Sequence, residues 1–237
     1  MVSLVIPTYQ ERDNMTPLLE RLRAVAPSVG EPIEVVIVDN RSSDGTAGCA
    51  RALLGGTLPG RVIECVRDTG LAESVMEGAR AASGDLLGVM DADLSHPPEL
   101  LPQLVAAVRQ GNEVALASRY VPGGGITRWP WSRRLASQAA NWLARPLTPV
   151  ADATSGYFVC RREVVTSCGL HPRGFKILLE ILVRGRVRRV REVPYVFTDR
   201  VRGVSKLNGR TAGLFLMQLA ALSLARVRGA GRRGRDG

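Results

Sequence analysis

The chain is short of several residue types that usually announce a site. Among 237 residues there are two histidines, His96 and His171, which argues against a histidine-rich metal centre. Four cysteines, Cys49, Cys65, Cys160 and Cys168, show no C-x-x-C spacing and no metal-finger pattern. They read as reduced thiols of a cytosolic protein. Aromatic residues make up 5%, too few for the stacking platforms of a single-strand nucleic-acid binder. No apolar run reaches the length of a membrane span. No charged segment precedes an apolar run at the N-terminus, so no signal peptide is expected.

Positive charge, by contrast, is abundant. Lysine and arginine total 32 against 22 acids, a net charge of +10. Such a balance predicts an anionic partner, which can be nucleic acid, a nucleotide or an acidic membrane surface. Hydrophobic residues at 45% suffice for one substantial core in one or at most two domains.

The first half alternates between β-rich and helical patterns. "VSLVIPT", "IEVVIVDN", "RVIECVR", "DLLGVMD" and "EVALASRY" read as strands. "NMTPLLERLRAVA", "DGTAGCARALL", "LAESVMEGARAA" and "PPELLPQLVAAVRQ" read as the helices between them. This alternation implies βαβ units and a parallel sheet covered on both faces. Ligands of such sheets bind beyond the carboxyl ends of the strands. Asp39, Arg67, Asp91 and Ser118 stand at or near those ends. In the second half, "VPGGGITRWPW" reads as a loop and "RRLASQAANWLARPL" as a helix. "GYFVCRR" reads as a strand, "GFKILLEILVRG" as a helix and "VRRVREVPYVFTDR" as extended chain. "TAGLFLMQLAALSLARVR" is an apolar helix, followed by a basic tail with too little apolar surface to pack.

Three loops carry candidate chemistry. In "MDADLSHPPEL", Asp91 and Asp93 follow a strand at i, i+2 and offer hard oxygen ligands suited to Mg2+ or Mn2+. A turn in which Asp93 or Ser95 caps the helix near Pro97 explains the same residues without a metal. In "VIVDNRSSDGT", Asp39 can accept hydrogen bonds from a base or ribose, while Asp44 and Gly45 can simply make the turn. In "IPTYQERDN", Pro7 ends the strand, and Tyr9 and Glu11 lie on the next loop. Tyr9 can pack on a base or cover the sheet edge. His96 reads as a structural residue at the helix start. Trp129 and Trp131 lean towards an interface.

Together with "GLAESVMEGARAASGD", "ASRYVPGG", "DATSGYFVCRREV" and "TDRVRGVSKL", these segments occur in the order seen in family 2 glycosyltransferases. From Val2 to about Leu207 the chain resembles that family, and most of all its dolichyl- or polyprenyl-phosphate mannosyltransferases. "DADLSHPPE" and R-x-x-G-x-S-K are the most diagnostic parts. The resemblance implies an α/β, Rossmann-like GT-A fold with a mostly parallel central sheet. It implies an inverting transfer of mannose from GDP-mannose to a polyprenyl phosphate with a divalent metal, Mg2+ or Mn2+. It assigns metal binding to Asp91 and Asp93, with Ser95 where many members have glutamine. Donor binding falls to Pro7, Tyr9, Glu11, Asp39, Asp44, Gly70 and Asp91. Phosphate handling falls to Arg119, Arg134, Arg200 and Lys206. The chain departs from the family at Asn40, usually an acid, and in "RDTGLAES", where a glycine-rich segment is shortened.

The expected layout is a catalytic domain over 1–207, an amphipathic interface helix over 208–228 and a disordered basic tail over 229–237. Many relatives carry transmembrane helices after the catalytic domain, and this chain is expected to lack them. Its place is then the cytoplasmic face of a membrane, by peripheral contact, or beside a membrane subunit that uses the same helix. Arg184, Arg186, Arg188, Arg189 and Arg191 are expected to face solvent or membrane. The rival readings are another donor such as UDP-glucose, a non-lipid acceptor, or a basic nucleic-acid-binding protein. The last lacks any recognisable binding motif, so no nucleic-acid partner is expected.

Overall fold

The computed structural model describes residues 1–68, 70–167, 169–170, 176–198 and 209–233, with backbone alone for 209–212 and 227–233. Arg200 and Lys206, like Cys168 and His171, lie outside the described residues.

Nine strands and eight α-helices are formed among the described residues. The strands are β1 (Val2–Thr8), β2 (Ile33–Asp39), β3 (Gly60–Glu64), β4 (Leu86–Val89), β5 (Val114–Ser118), β6 (Gly125–Thr127), β7 (Phe158–Arg161), β8 (Val190–Pro194) and β9 (Val196–Thr198). The helices are α1 (Arg12–Val25), α2 (Thr46–Leu53), α3 (Gly70–Ala81), α4 (Leu101–Arg109), α5 (Trp131–Ala144), α6 (Arg162–Ser167), α7 (Ile177–Arg184) and α8 (Gly209–Arg233). Short 3-10 turns cover Ala26–Val29 and Pro98–Leu100.

The main sheet has the order β3-β2-β1-β4-β7-β5-β8. All pairings are parallel except those of β7, which runs antiparallel to both β4 and β5. The expected mostly parallel α/β sheet is therefore observed, with one reversed strand. A parallel two-stranded sheet, β6 with β9, stands apart from it. It lies partly in the stretch expected to be a glycine-rich loop.

Strand periodicity separates two cores. Val2, Leu4, Ile6, Ile33, Val35 and Ile37 point to one face and pack with Met15, Leu18, Leu19 and Leu22 of α1 and with α4. Val5, Val36 and Val38 point to the other and pack with α3, α6 and α7. α1 forms because those four residues recur at i, i+3, i+4 and i+7. α8 joins the second core through buried Phe215 and Leu222. It continues to Arg233, past the expected boundary at 228. Among the described residues, Cys49, Cys65 and Cys160 form no disulfide. No helix among the described residues is long and apolar enough to cross a membrane.

Candidate active site

The loops that follow β1, β2 and β4 meet at one edge of the sheet, because these strands are neighbours and parallel. Each loop contains a non-glycine residue with left-handed backbone: Gln10 (φ 56°), Arg41 (φ 62°) and Leu94 (φ 62°). Such conformations cost about 1–3 kcal/mol each and gather where a site is shaped. Composition carries no signal for them, and sequence reasoning does not find them.

Asp39 is fully buried at the end of β2. Its Oδ1 accepts from Thr8 Oγ1 (2.8 Å) and Ser42 Oγ (2.6 Å), and its Oδ2 accepts from the Ser42 amide (2.9 Å). The carboxylate thus ties the β1 and β2 loops together from beneath. Asp44 accepts from the Thr46 amide and hydroxyl and from the Arg12 amide. Burial alone would raise its pKa; these hydrogen bonds outweigh burial and hold it below the ordinary carboxylate value. Gly45 makes the turn at φ +88°, a conformation that suits glycine. Pro7 is buried within β1, opposite Val38. Tyr9 stands 48% exposed just beyond that strand, where a ring can meet a ligand. The Glu11 amide donates to Thr46 Oγ1, and its carboxylate accepts from Asn14. Gly70 opens α3, with its amide on Asp68; the same carboxylate oxygen holds Asn40.

Asp91 and Asp93 follow β4. Asp93 is buried, and its Oδ1 accepts from both the amide and the hydroxyl of Ser95. Ser95 therefore supports Asp93. No side chain caps the short 3-10 helix at Pro98 or α4, so the expected capping by Ser95 does not occur. Asp91 keeps about a third of its side chain exposed. Its amide donates to His96 Nδ1 (3.2 Å), which leaves the imidazole proton on Nε2. His96 is buried among Tyr157, Tyr195 and Phe197. Burial, opposed by Asp91 and Asp93, pushes its pKa down and keeps it neutral. Gly156 presses from the other side: a Cβ there would lie 2.9 Å from Asp91 Oδ2 and 3.1 Å from His96 Cε1.

No cluster of three or more histidine, cysteine or acidic residues able to hold a metal occurs among the described residues. Two carboxylates of hard oxygen character nevertheless fit Mg2+ or Mn2+, which keep waters and bind through one or two carboxylates plus substrate phosphates.

The basic side of the site is built differently from expectation. Arg119 is buried, and its Nε and Nη2 form a fork on Asp152 (2.7 and 2.6 Å), with Thr154 Oγ1 at 3.2 Å. Despite desolvation, Asp152 holds the guanidinium pKa above its ordinary value. The fork is thus engaged inside the protein, and it orders the segment before β7. Asp152 is a member of the site that the sequence did not single out. Arg133 and Arg134 belong to the first turn of α5. Arg134 donates to Ile126 O, and Arg133 lies 4.0 Å from the Trp129 ring centroid. Trp129 is packed between Arg133, Arg119 and Phe197. Trp131, also expected at an interface, stands 78% exposed, and Trp142 73%.

Comparison with known proteins agrees with this arrangement. Residues 3–169 match the profile of Glycosyl transferase family 2. The dolichol-phosphate mannosyltransferase of Pyrococcus furiosus is 42% identical over 225 residues, covering 93% of this chain and 63% of the relative. The chain thus spans less than two thirds of that protein's length. The protein of the same name from Saccharomyces cerevisiae is 36% identical over 230 residues, covering 93% of this chain and 86% of the relative. Among solved structures, glucosyl-3-phosphoglycerate synthase of M. tuberculosis superposes with a TM-score of 0.66 at 23% identity, covering 95% of this chain and 80% of the other. A mannosyltransferase of Pyrobaculum calidifontis, solved with GDP-Man and Mn2+, gives 0.63 at 19%, covering all of this chain and 64% of the other. At these identities the structures establish the shared fold. The motif order, the reversed strand β7 and the acid pair after β4 sit within a profile that spans most of the chain, and the chain belongs to glycosyltransferase family 2.

Proposed function

We propose that the protein transfers a sugar from a nucleotide-sugar donor, GDP-mannose, to the phosphate of a polyprenyl acceptor, with inversion at the anomeric carbon. The observation that carries this reading is the meeting, at one sheet edge, of the Asp39 loop, the exposed Asp91 beside Asp93, and the Arg119–Asp152 pair. The names of the relatives that align over 93% of the chain supply the substrate class. The nucleotide end of the donor falls to the β1 and β2 loops, with Tyr9 exposed to receive it.

Asp91 and Asp93 would hold a divalent cation together with oxygens of the donor diphosphate. When bound, that cation offsets the negative charge that develops on the departing diphosphate. The acceptor phosphate is its own nucleophile: its second pKa lies near 6, so it is largely dianionic at neutral pH. One of its oxygens forms the bond to the anomeric carbon as the bond to the diphosphate breaks, and the nucleoside diphosphate leaves with the electron pair. No general base is needed, in keeping with a neutral, enclosed His96. The chain's own contribution is to align two anions and offset their repulsion.

A polyprenyl acceptor lies in a bilayer, so the reading includes peripheral membrane contact. The exposed apolar side chains of α5 and α8 support it: Trp131, Leu135 and Trp142 on one helix, Leu216, Met217 and Leu224 on the other. The test is a transfer assay with purified full-length protein, Mg2+ or Mn2+, a panel of nucleotide sugars and a short polyprenyl phosphate. Mannosyl transfer from GDP-mannose is expected. Preference for UDP-glucose, or transfer only to a non-lipid phosphate such as phosphoglycerate, would overturn the substrate assignment.

A further inference from the structure

The segment "GFKILLEILVRG" carries one lysine, Lys176, that the reading above does not use. It sits immediately before α7, partly buried. Its Nζ donates to the carbonyl of Thr154 at 3.1 Å. Thr154 lies between Asp152, which holds Arg119, and Gly156, which abuts Asp91. The backbone of Lys176 is held in turn by α8, where Gln218 Nε2 donates to its carbonyl at 3.2 Å. Its ammonium is therefore aimed at the segment that joins the acid pair to the buried arginine.

Sheet order decides which substrate this cation serves. Asp91 follows β4, the fourth of seven strands. The loops assigned to the nucleotide follow β1 and β2, on one side of β4. Asp152 and Thr154 lead into β7 and Arg119 follows β5, on the other. Lys176 bonds to the β7 side. Two anions that react in line at one carbon must approach from opposite sides of it, so a cation on the β7 side meets the attacking phosphate.

We propose that Lys176 is a substrate-binding residue whose ammonium takes an anionic oxygen of the acceptor's phosphate. This rests on the transferase reading above and names the residue that receives the second substrate. The charges around the lysine fit the role. Asp91 after β4 and Asp152 before β7 favour its cation, while Arg119 after β5 and Arg133 of α5 oppose it. Desolvation outweighs the two acids and lowers its pKa to about 8. Burial thus disfavours this ammonium, and an arriving anion offsets that cost. A lysine serving only to tie α7 to Thr154 gains nothing from such a setting.

The experiment uses the full chain, a short-chain polyprenyl phosphate, GDP-mannose and GDP. Lys176→Met is expected to raise the acceptor KM at least tenfold at pH 7. Its GDP affinity by calorimetry should stay within twofold of wild type, which also shows that the variant is folded. In wild type, kcat/KM for the acceptor should fall as pH rises through about 8, where the Lys176 ammonium loses its proton. Lys176→Arg should restore most of the affinity and shift that limb to higher pH; it also serves if the methionine variant does not fold. An unchanged acceptor KM in Lys176→Met would overturn the proposal. So would a loss of GDP affinity equal to the loss for acceptor, which would place the lysine on the donor, and so would a Lys176→Arg profile identical to wild type. A wild-type chain that transfers sugar to no phosphate acceptor would instead overturn the function itself, and this inference with it. Transfer by wild type with an indifferent Lys176→Met isolates the failure to Lys176.

Discussion

At the scale of single residues, the site separates groups that face a ligand from groups that hold them. Asp91 is the exposed acid; Asp93, Asp39 and Asp152 are buried and internally bonded. Asp91→Asn and Asp93→Asn should each lower turnover at least tenfold, about 1.4 kcal/mol of transition-state stabilisation. Their melting temperatures should stay near wild type, and EDTA should reproduce the loss. Full activity of both variants in EDTA would refute the metal role. Asp39 is a different case, because three hydrogen bonds end on its carboxylate. Asp39→Ala leaves the amide of Ser42 without that acceptor and should cost about 1–3 kcal/mol in a denaturant titration. GDP affinity should fall with it, since the same carboxylate shapes the nucleotide loops. Gly156→Ala tests the contact from the other wall. The new Cβ would lie 2.9 Å from Asp91 Oδ2, so Asp91 must move. Activity should fall while GDP affinity, measured without metal, holds.

At the scale of elements, what the sequence made legible follows what local pattern controls. β1, β2, α1 and α3 lie within a residue or two of expectation, because apolar periodicity defines them. The acid pair was legible because a hydrophobic strand stops at Asp91. β6 and α6 were not: a three-residue strand and a six-residue helix are too short for a period to show, and β6 exists only by pairing with β9. The reversal of β7 is a long-range pairing choice that its own residues do not encode. Arg119 shows the same limit within the site. Its motif pointed to a phosphate, but the partner that occupies its fork, Asp152, is brought in from the far side of α5 by the fold. A buried pair of this kind is costly to break, by about 3–5 kcal/mol. Asp152→Asn should therefore lose stability on that scale by denaturant unfolding, well beyond the effect of Asp91→Asn.

At the scale of the whole molecule, the question is what covers the outer faces of α5 and α8. Between Leu214 and Leu224, α8 carries apolar side chains on both its inner and its outer face. Phe215, Gln218, Leu219 and Leu222 turn one face into the core, while Leu216, Met217 and Leu224 stand 55%, 69% and 58% exposed on the other. On α5, Trp131, Leu135 and Trp142 fall at i, i+4 and i+11, a single exposed stripe. Arg226 ties α8 to the segment just after α5 by donating to the carbonyls of Pro146 and Leu147, so this arginine acts as a staple rather than a free charge. Because Phe215 and Leu222 belong to the core, deleting the helix would open the protein as well as remove the proposed membrane contact. Substitution of the outer face alone is the cleaner test. A fully buried leucine or methionine contributes about 1.5–3 kcal/mol, so losing three such contacts from a bilayer interface should weaken partitioning by well over tenfold. The triple variant Leu216→Ser, Met217→Gln, Leu224→Ser should bind anionic liposomes correspondingly less in a sedimentation assay, with its melting temperature preserved. It should lose activity on a long-chain acceptor in vesicles and keep activity on a short soluble one. Equal liposome binding by variant and wild type would reject α8 as the contact and leave the tryptophans of α5 to be tested in the same way.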